Sequence, residues 1–247
     1  MRYWWIIVLV AVAEPCLAQH GGRWIAPTAF TDTAGVRQIG LLSDGRAGLG
    51  SDLSVYAHPL MMFVAPTLEL QVTWSEQTHS AIATYHRASV PTPLMLLVQT
   101  EGELGFVTPE ASVGFLLGLT NGVRASWEVD QAVITARLGI EIGIGDPDPR
   151  TSVDLPILYP RMVALYQGWI TEVGVVYERM LGSHFGTTLE ATSFLNDQSL
   201  FIEITPRLSW HINEHWSIHV DPVITYGTYP YGNDWQLLLL PDLTYRW

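Results

Sequence analysis

Residues Trp235-Gln-Leu-Leu-Leu-Leu-Pro-Asp-Leu-Thr-Tyr-Arg-Trp247 close the chain and decide its fold. Counting back by twos from the terminus gives Trp247, Tyr245, Leu243, Pro241, Leu239 and Leu237, almost all apolar. The other parity near the end gives Arg246, Thr244 and Asp242. Successive side chains of a strand face opposite ways, so this stretch reads as a β-strand with one greasy and one polar face.

The same alternation recurs upstream. Leu68, Leu70, Val72 and Trp74 oppose Glu69, Gln71, Thr73 and Ser75, and Ile134, Ala136, Leu138, Ile140 and Ile142 oppose Thr135, Arg137, Gly139 and Glu141. Further strands are expected at 36–42, 51–58, 80–87, 115–128, 169–179, 185–194, 200–211 and 216–226. Many of these runs reach about 9 to 13 residues, whereas strands of water-soluble domains cluster near about five or six. A tilted strand crossing a bilayer needs roughly 9–11. Counting from Ser51 gives ten strands; adding 36–42 gives eleven, and an even number then requires one more near 23–30.

A terminal aromatic preceded by apolar residues at every second position resembles the C-terminal signal of bacterial outer-membrane β-barrel proteins. The resemblance implies an all-β, membrane-spanning, antiparallel up-and-down barrel of 10–12 strands, in contact with outer-membrane lipid. It also implies insertion by the barrel-assembly machinery through the last strand, in the outer membrane of a Gram-negative bacterium. The N-terminus agrees: Arg2, an apolar run from Trp4 to Ala13, then Pro15 and the small-residue ending Cys16-Leu17-Ala18 read as a secretory signal cleaved after Ala18. Residues 1–18 are therefore a signal peptide, 19–35 an irregular segment and 36–247 the barrel. Ala13, Glu14 and Pro15 do not suit acylation of Cys16, which is the only cysteine, so the mature chain is expected to form no disulfide.

All twelve basic residues are arginine, and the net charge is −12, which argues against a nucleic-acid partner. Beyond the signal no apolar run approaches the roughly 20 residues of a membrane helix. A hydrophobic content of 48% without such a run suits a barrel, where only every second residue meets lipid. Connections alternate in length. Residues 76–79, 129–131, 180–184 and 212–215 are short; 58–67, 88–114, 145–168 and 227–234 are long, and 196–199 breaks the pattern. Aromatics on the apolar parity gather at strand ends: Trp74, Trp127, Tyr177, Trp210, Trp216, Tyr245 and Trp247 near the short connections, and Trp169, Tyr226 and Trp235 near the long ones. Two girdles of amphipathic rings mark two membrane interfaces.

The inward parity collects Asp52, Glu69, His86, Arg124, Arg137, Glu141, Glu172, Glu190, Glu203, Arg207, His219 and Asp221. Buried charges must pair, so an arginine–carboxylate network bracing the lumen is expected, or a narrow hydrated path favouring cations. No catalytic residue and no metal or other cofactor is assigned. Ser217, His219 and Asp221 share one strand face, but i and i+2 lie roughly 6.6 Å apart, too far for a triad's direct hydrogen bonds. His211, His215 and His219 straddle a turn with no cysteine or acidic cluster beside them, and prolines interrupt Asp146, Asp148 and Asp154. Three long connections carry apolar stretches: Leu60 to Val64, Leu94 to Val98, and Leu155 to Leu158 with Met162 to Tyr166. They fold inward as a cap or line a path for a greasy solute. The functions that fit are a porin-like or passive barrel for small or hydrophobic solutes, a membrane-embedded lipid-modifying hydrolase or acyltransferase, and a structural barrel holding a partner by its loops.

Overall fold

The computed structural model describes residues 24–32, 34–35, 37–59, 61–99, 107, 110–148, 158–230 and 232–247. Twelve antiparallel strands form one closed barrel, each pairing with its sequence neighbours. The first three are β1 (Arg37–Gly40), β2 (Gly45–Gly48) and β3 (Leu53–Ala57). Then come β4 (Thr67–Gln77), β5 (Ser80–Ser89), β6 (Leu117–Val129), β7 (Ala132–Ile144) and β8 (Trp169–Met180). The circuit is completed by β9 (Phe185–Leu195), β10 (Leu200–His211), β11 (Trp216–Tyr229) and β12 (Gly232–Arg246). Closure is short: β1 meets β12 from Gln38 opposite Arg246 to Gly40 opposite Thr244. Arg37 and Trp247 exchange backbone hydrogen bonds of 3.0 Å beneath that contact.

Two expectations are corrected here. The strand that makes the number even is β2, Gly-Arg-Ala-Gly, not a stretch near 23–30. Its sequence carries no alternation of apolar residues; pairing on both edges defines it. The expected long connection 227–234 is also absent, because β11 and β12 pair as far as Tyr229 opposite Gly232. The signal at 1–18 lies outside the described residues.

Alternation sorts the side chains as a membrane barrel requires. On β7, Leu138, Ile140 and Ile142 are 51%, 44% and 49% exposed, while Glu141 between them is buried. A surface of this kind is costly in water and favourable against hydrocarbon. At the short-turn end Tyr245 packs 4.7 Å from Trp216 and 5.6 Å from Trp247, ring centroid to centroid. At the other end Tyr226 and Trp235 lie 4.7 Å apart.

The barrel is occupied at both ends. Residues 24–32 run inside it near the short-turn end. Glu178 accepts hydrogen bonds from the Ile25 and Ala26 N–H groups (2.8 and 2.9 Å). The Ser126 hydroxyl accepts from Ala29 N–H (2.7 Å), and Thr73 donates to the Ala29 carbonyl (3.0 Å). Trp24 packs on Val133 and Met180. At the other end a ten-residue helix, α3 (Leu158–Gln167), enters the mouth. Pro160 sits in its first turn, where the missing N–H costs nothing, and Gly168 at φ +88° ends it. Tyr159, Val163 and Ala164 bury against Ile170, Phe194, Phe201 and Tyr229. The approach needs Gly143: a Cβ there would lie 2.1 Å from the Ala164 carbonyl oxygen. Two shorter helices, α1 (Met61–Val64) and α2 (Thr92–Leu97), stand on the same end, with Met95 of α2 packed among Leu116, Met162 and Leu165. Of the apolar connections, the 158–166 and 94–98 stretches thus serve as a cap; Leu60 and residues 155–157 lie outside the described residues.

Candidate functional site

Between the N-terminal segment and α3 the barrel encloses a cavity of about 440 Å³. Ile25 and Pro27 bound it on one side, Arg161 and Phe194 on the other. Six arginines and eight carboxylates line it. Charge is tolerated there because the arginines are paired. Arg124 meets Glu69 at 2.7 Å and lies 4.3 Å over the Tyr85 ring. Arg87 bridges Glu141 (3.4 Å) and Glu172 (3.3 Å). Arg137 continues the chain from Glu172 (2.7 Å) to Glu190 (2.6 Å). Arg207 grips Asp221 with two bonds of 2.8 and 2.7 Å, and Arg161 grips Glu203 with two of 2.8 Å. Arg46 pairs with Asp32 (3.4 Å), tying β2 to the N-terminal segment. Burial works to lower the pKa of Arg161, yet the Glu203 carboxylate outweighs it and holds the guanidinium above its ordinary range.

The wall around this chamber is not level. β1 and β2 have four residues each and β3 five, whereas β11 has 14 and β12 has 15. Above the contact of Leu41 N–H with the Leu243 carbonyl (3.0 Å), β12 has no strand partner on its β1 side among the described residues. Among the described residues, 232–242 pair with β11 alone. Along this stretch β12 is apolar on both faces: Leu237 and Leu239 are 70% and 56% exposed, and Leu238 on the opposite parity 39%. Leu240, Leu42 and Met61 line the chamber, which therefore reaches the low side of the wall.

Two lining carboxylates there have no arginine partner among the described residues. Asp242 is 5% exposed; its Oδ1 accepts from Leu42 N–H and Leu243 N–H, both at 2.8 Å. Its Oδ2 is buried with no hydrogen-bond partner among the described residues. Asp44, in the turn between β1 and β2, is exposed and has no hydrogen bond or ion pair among the described residues. His58 stands beside the turn, its Nε2 donating to the Leu42 carbonyl (2.8 Å) and its Nδ1 accepting from Met61 N–H (3.0 Å). That pattern describes a neutral ring with the proton on Nε2.

Of the residues expected to face inward, Glu69, Arg124, Arg137, Glu141, Glu172, Glu190, Glu203, Arg207 and Asp221 line the chamber. His219 faces inward but stays out of it, 1% exposed and bonded to Ser209 (3.0 Å) and Thr244 (2.9 Å). Two expectations fail. His86 is exposed on the outer parity of β5, 2.7 Å from Asn121, and Arg87 next to it is the lumen residue. Both faces of that strand carry polar residues, so alternation gave no phase. Asp52 sits in the exposed turn before β3, beside Ser51. Ser217, His219 and Asp221 take separate partners: Ser217 bonds His211 (2.9 Å), and Asp221 bonds Arg207. Asp148 accepts from Ser112 N–H (3.2 Å), and Asp154 lies outside the described residues. Asp242 was visible on the polar parity of the last strand; Asp44 sits in a Ser-Asp-Gly-Arg turn that carries no pattern at all.

No protein-family profile matches the sequence. No curated protein matches it either. In shape the chain is similar to the outer-membrane expressed OmpT of Vibrio cholerae, at 8% identity and a TM-score of 0.44 over 83% of this chain and 64% of that one. It is similar also to OccAB4 of Acinetobacter baumannii, at 12% identity and a TM-score of 0.42 over 83% of this chain and 51% of that one. The chain thus spans less than two thirds of the length of these structures.

Proposed function

We propose that this chain is an outer-membrane β-barrel of a Gram-negative bacterium that admits a small hydrophobic or amphiphilic solute by passive diffusion. The observation that carries this reading is the 440 Å³ charged chamber inside a barrel whose outside is apolar. Residues 24–32 and α3 occupy the two ends of the axis, which favours a route to the chamber through the lower side of the wall. Outer-membrane lipid is the partner of the apolar band. The barrel-assembly machinery is the partner of β12, whose terminal aromatic and alternating face fit its signal.

The test is uptake by liposomes. Vesicles carrying the folded protein should take up a small uncharged hydrophobic solute faster than empty vesicles, while their ion conductance stays far below that of an open porin of similar strand number. Uptake no faster than in empty vesicles would remove the proposal.

A further inference from the structure

All six arginines of the chamber are held by carboxylates, which among the described residues leaves an anionic solute no free guanidinium there. The two carboxylates without an arginine, Asp44 and Asp242, both stand where the wall is low. Asp242 is nine-tenths buried and more, it lines the chamber, and its Oδ2 has no hydrogen-bond partner among the described residues. A buried carboxylate oxygen is stabilised by a donor or a cation.

The edge of β12 adds a second argument. Residues 236–242 lie between Trp235 and the aromatic rim at Tyr245 and Trp247, within the height of the apolar band. Their backbone groups on the β1 side have no strand partner among the described residues. Hydrocarbon cannot satisfy such groups; irregular or open backbone is tolerated at membrane depth only against protein or a water-filled cavity. The rim is therefore wet in its backbone and greasy in its side chains, with Leu238 and Leu240 on one side and Leu42 and Met61 on the other. A molecule with one apolar chain and one polar end matches both properties.

We propose that the low wall beside β12 is a side portal for single-chain amphiphiles with a cationic head group, and that Asp44 and Asp242 hold the head. This rests on the solute-admitting reading above and names the solute class and its route.

The test uses the full-length mature chain in neutral-lipid nanodiscs, with dodecyltrimethylammonium as probe and dodecanoate of equal chain length as the anionic comparison. Equilibrium dialysis should give the cationic probe at least about a tenfold tighter Kd. Asp44→Asn and Asp242→Asn should each weaken the cationic probe by about tenfold and leave dodecanoate unchanged. Asp44 holds nothing in place, so its asparagine variant leaves the fold intact; the Asp242 variant keeps the oxygen that caps the turn. Leu240→Trp should slow uptake of either probe by narrowing the rim. Equal affinities for the two probes, or asparagine variants that bind like the parent, would overturn the proposal. If neutral solutes still cross in the liposome assay, that failure is confined to the head-group site. If they do not, the solute-admitting reading falls as well.

Discussion

Arg137 states in one side chain what a charge inside this barrel requires. It stands on β7 with hydrophobic neighbours facing out, and it meets Glu172 on β8 and Glu190 on β9. Replacing it with leucine would roughly keep the volume but strip half-buried Glu190 of its arginine and leave buried Glu172 with Arg87 alone. Breaking such a pair from one side costs on the order of 3–5 kcal/mol. Arg137→Leu should therefore lower the temperature at which the folded barrel unfolds on heated gels, and double replacement with Glu190→Gln should recover part of the loss. If Arg137→Leu melts with the parent, the network contributes nothing to stability. At this scale the sequence was legible wherever one parity was plainly apolar, as on β7 and β12. It was illegible on β5, where Thr84 and His86 share the outer face and polar residues occupy both. There the register against β4 sets the phase, with Arg87 opposite inward Glu69 and His86 opposite outward Leu70.

Among the elements, the least readable segment is 24–32. Its backbone bonds reach across more than a hundred residues, from Ile25 to Glu178, so no local pattern could announce it. A segment held by hydrogen bonds to a few wall side chains is displaced when those acceptors go. Glu178→Leu would leave the Ile25 and Ala26 N–H groups unsatisfied in a buried site, at about 1–3 kcal/mol each. Single-channel recording should then give a higher or more frequently open conductance than the parent. An unchanged trace would mean that these contacts do not bar the axis. α3 is the converse case. The apolar 162–166 stretch was visible in the sequence as something that must be covered, but not as a helix inserted against Gly143. β2 was hardest among the strands, because four residues are too few to express a period of two and only its pairing with β1 and β3 defines it, whereas β1 falls within the expected 36–42.

For the molecule as a whole, the account joins two facts. The outside is apolar over the length of the long strands, and the inside is charged, occupied at both ends and low-walled on one side. Each is ordinary for a chain whose solvent is hydrocarbon and ruinous for one in water. The alternation, strand length and aromatic ends that placed the fold are consequences of that solvent, which is why they were readable without coordinates. The chamber and its unpaired aspartates depend on strand heights around the circuit, a quantity no single strand records.

The most direct measurement is collision accessibility of a nitroxide placed singly at Leu138, Ile140 and Ile142, in a chain lacking Cys16 and reconstituted in lipid bilayers. The account predicts that dissolved oxygen relaxes the label strongly at all three positions while a water-soluble nickel complex scarcely reaches it. Free access of the nickel complex at these positions would contradict a membrane-embedded wall.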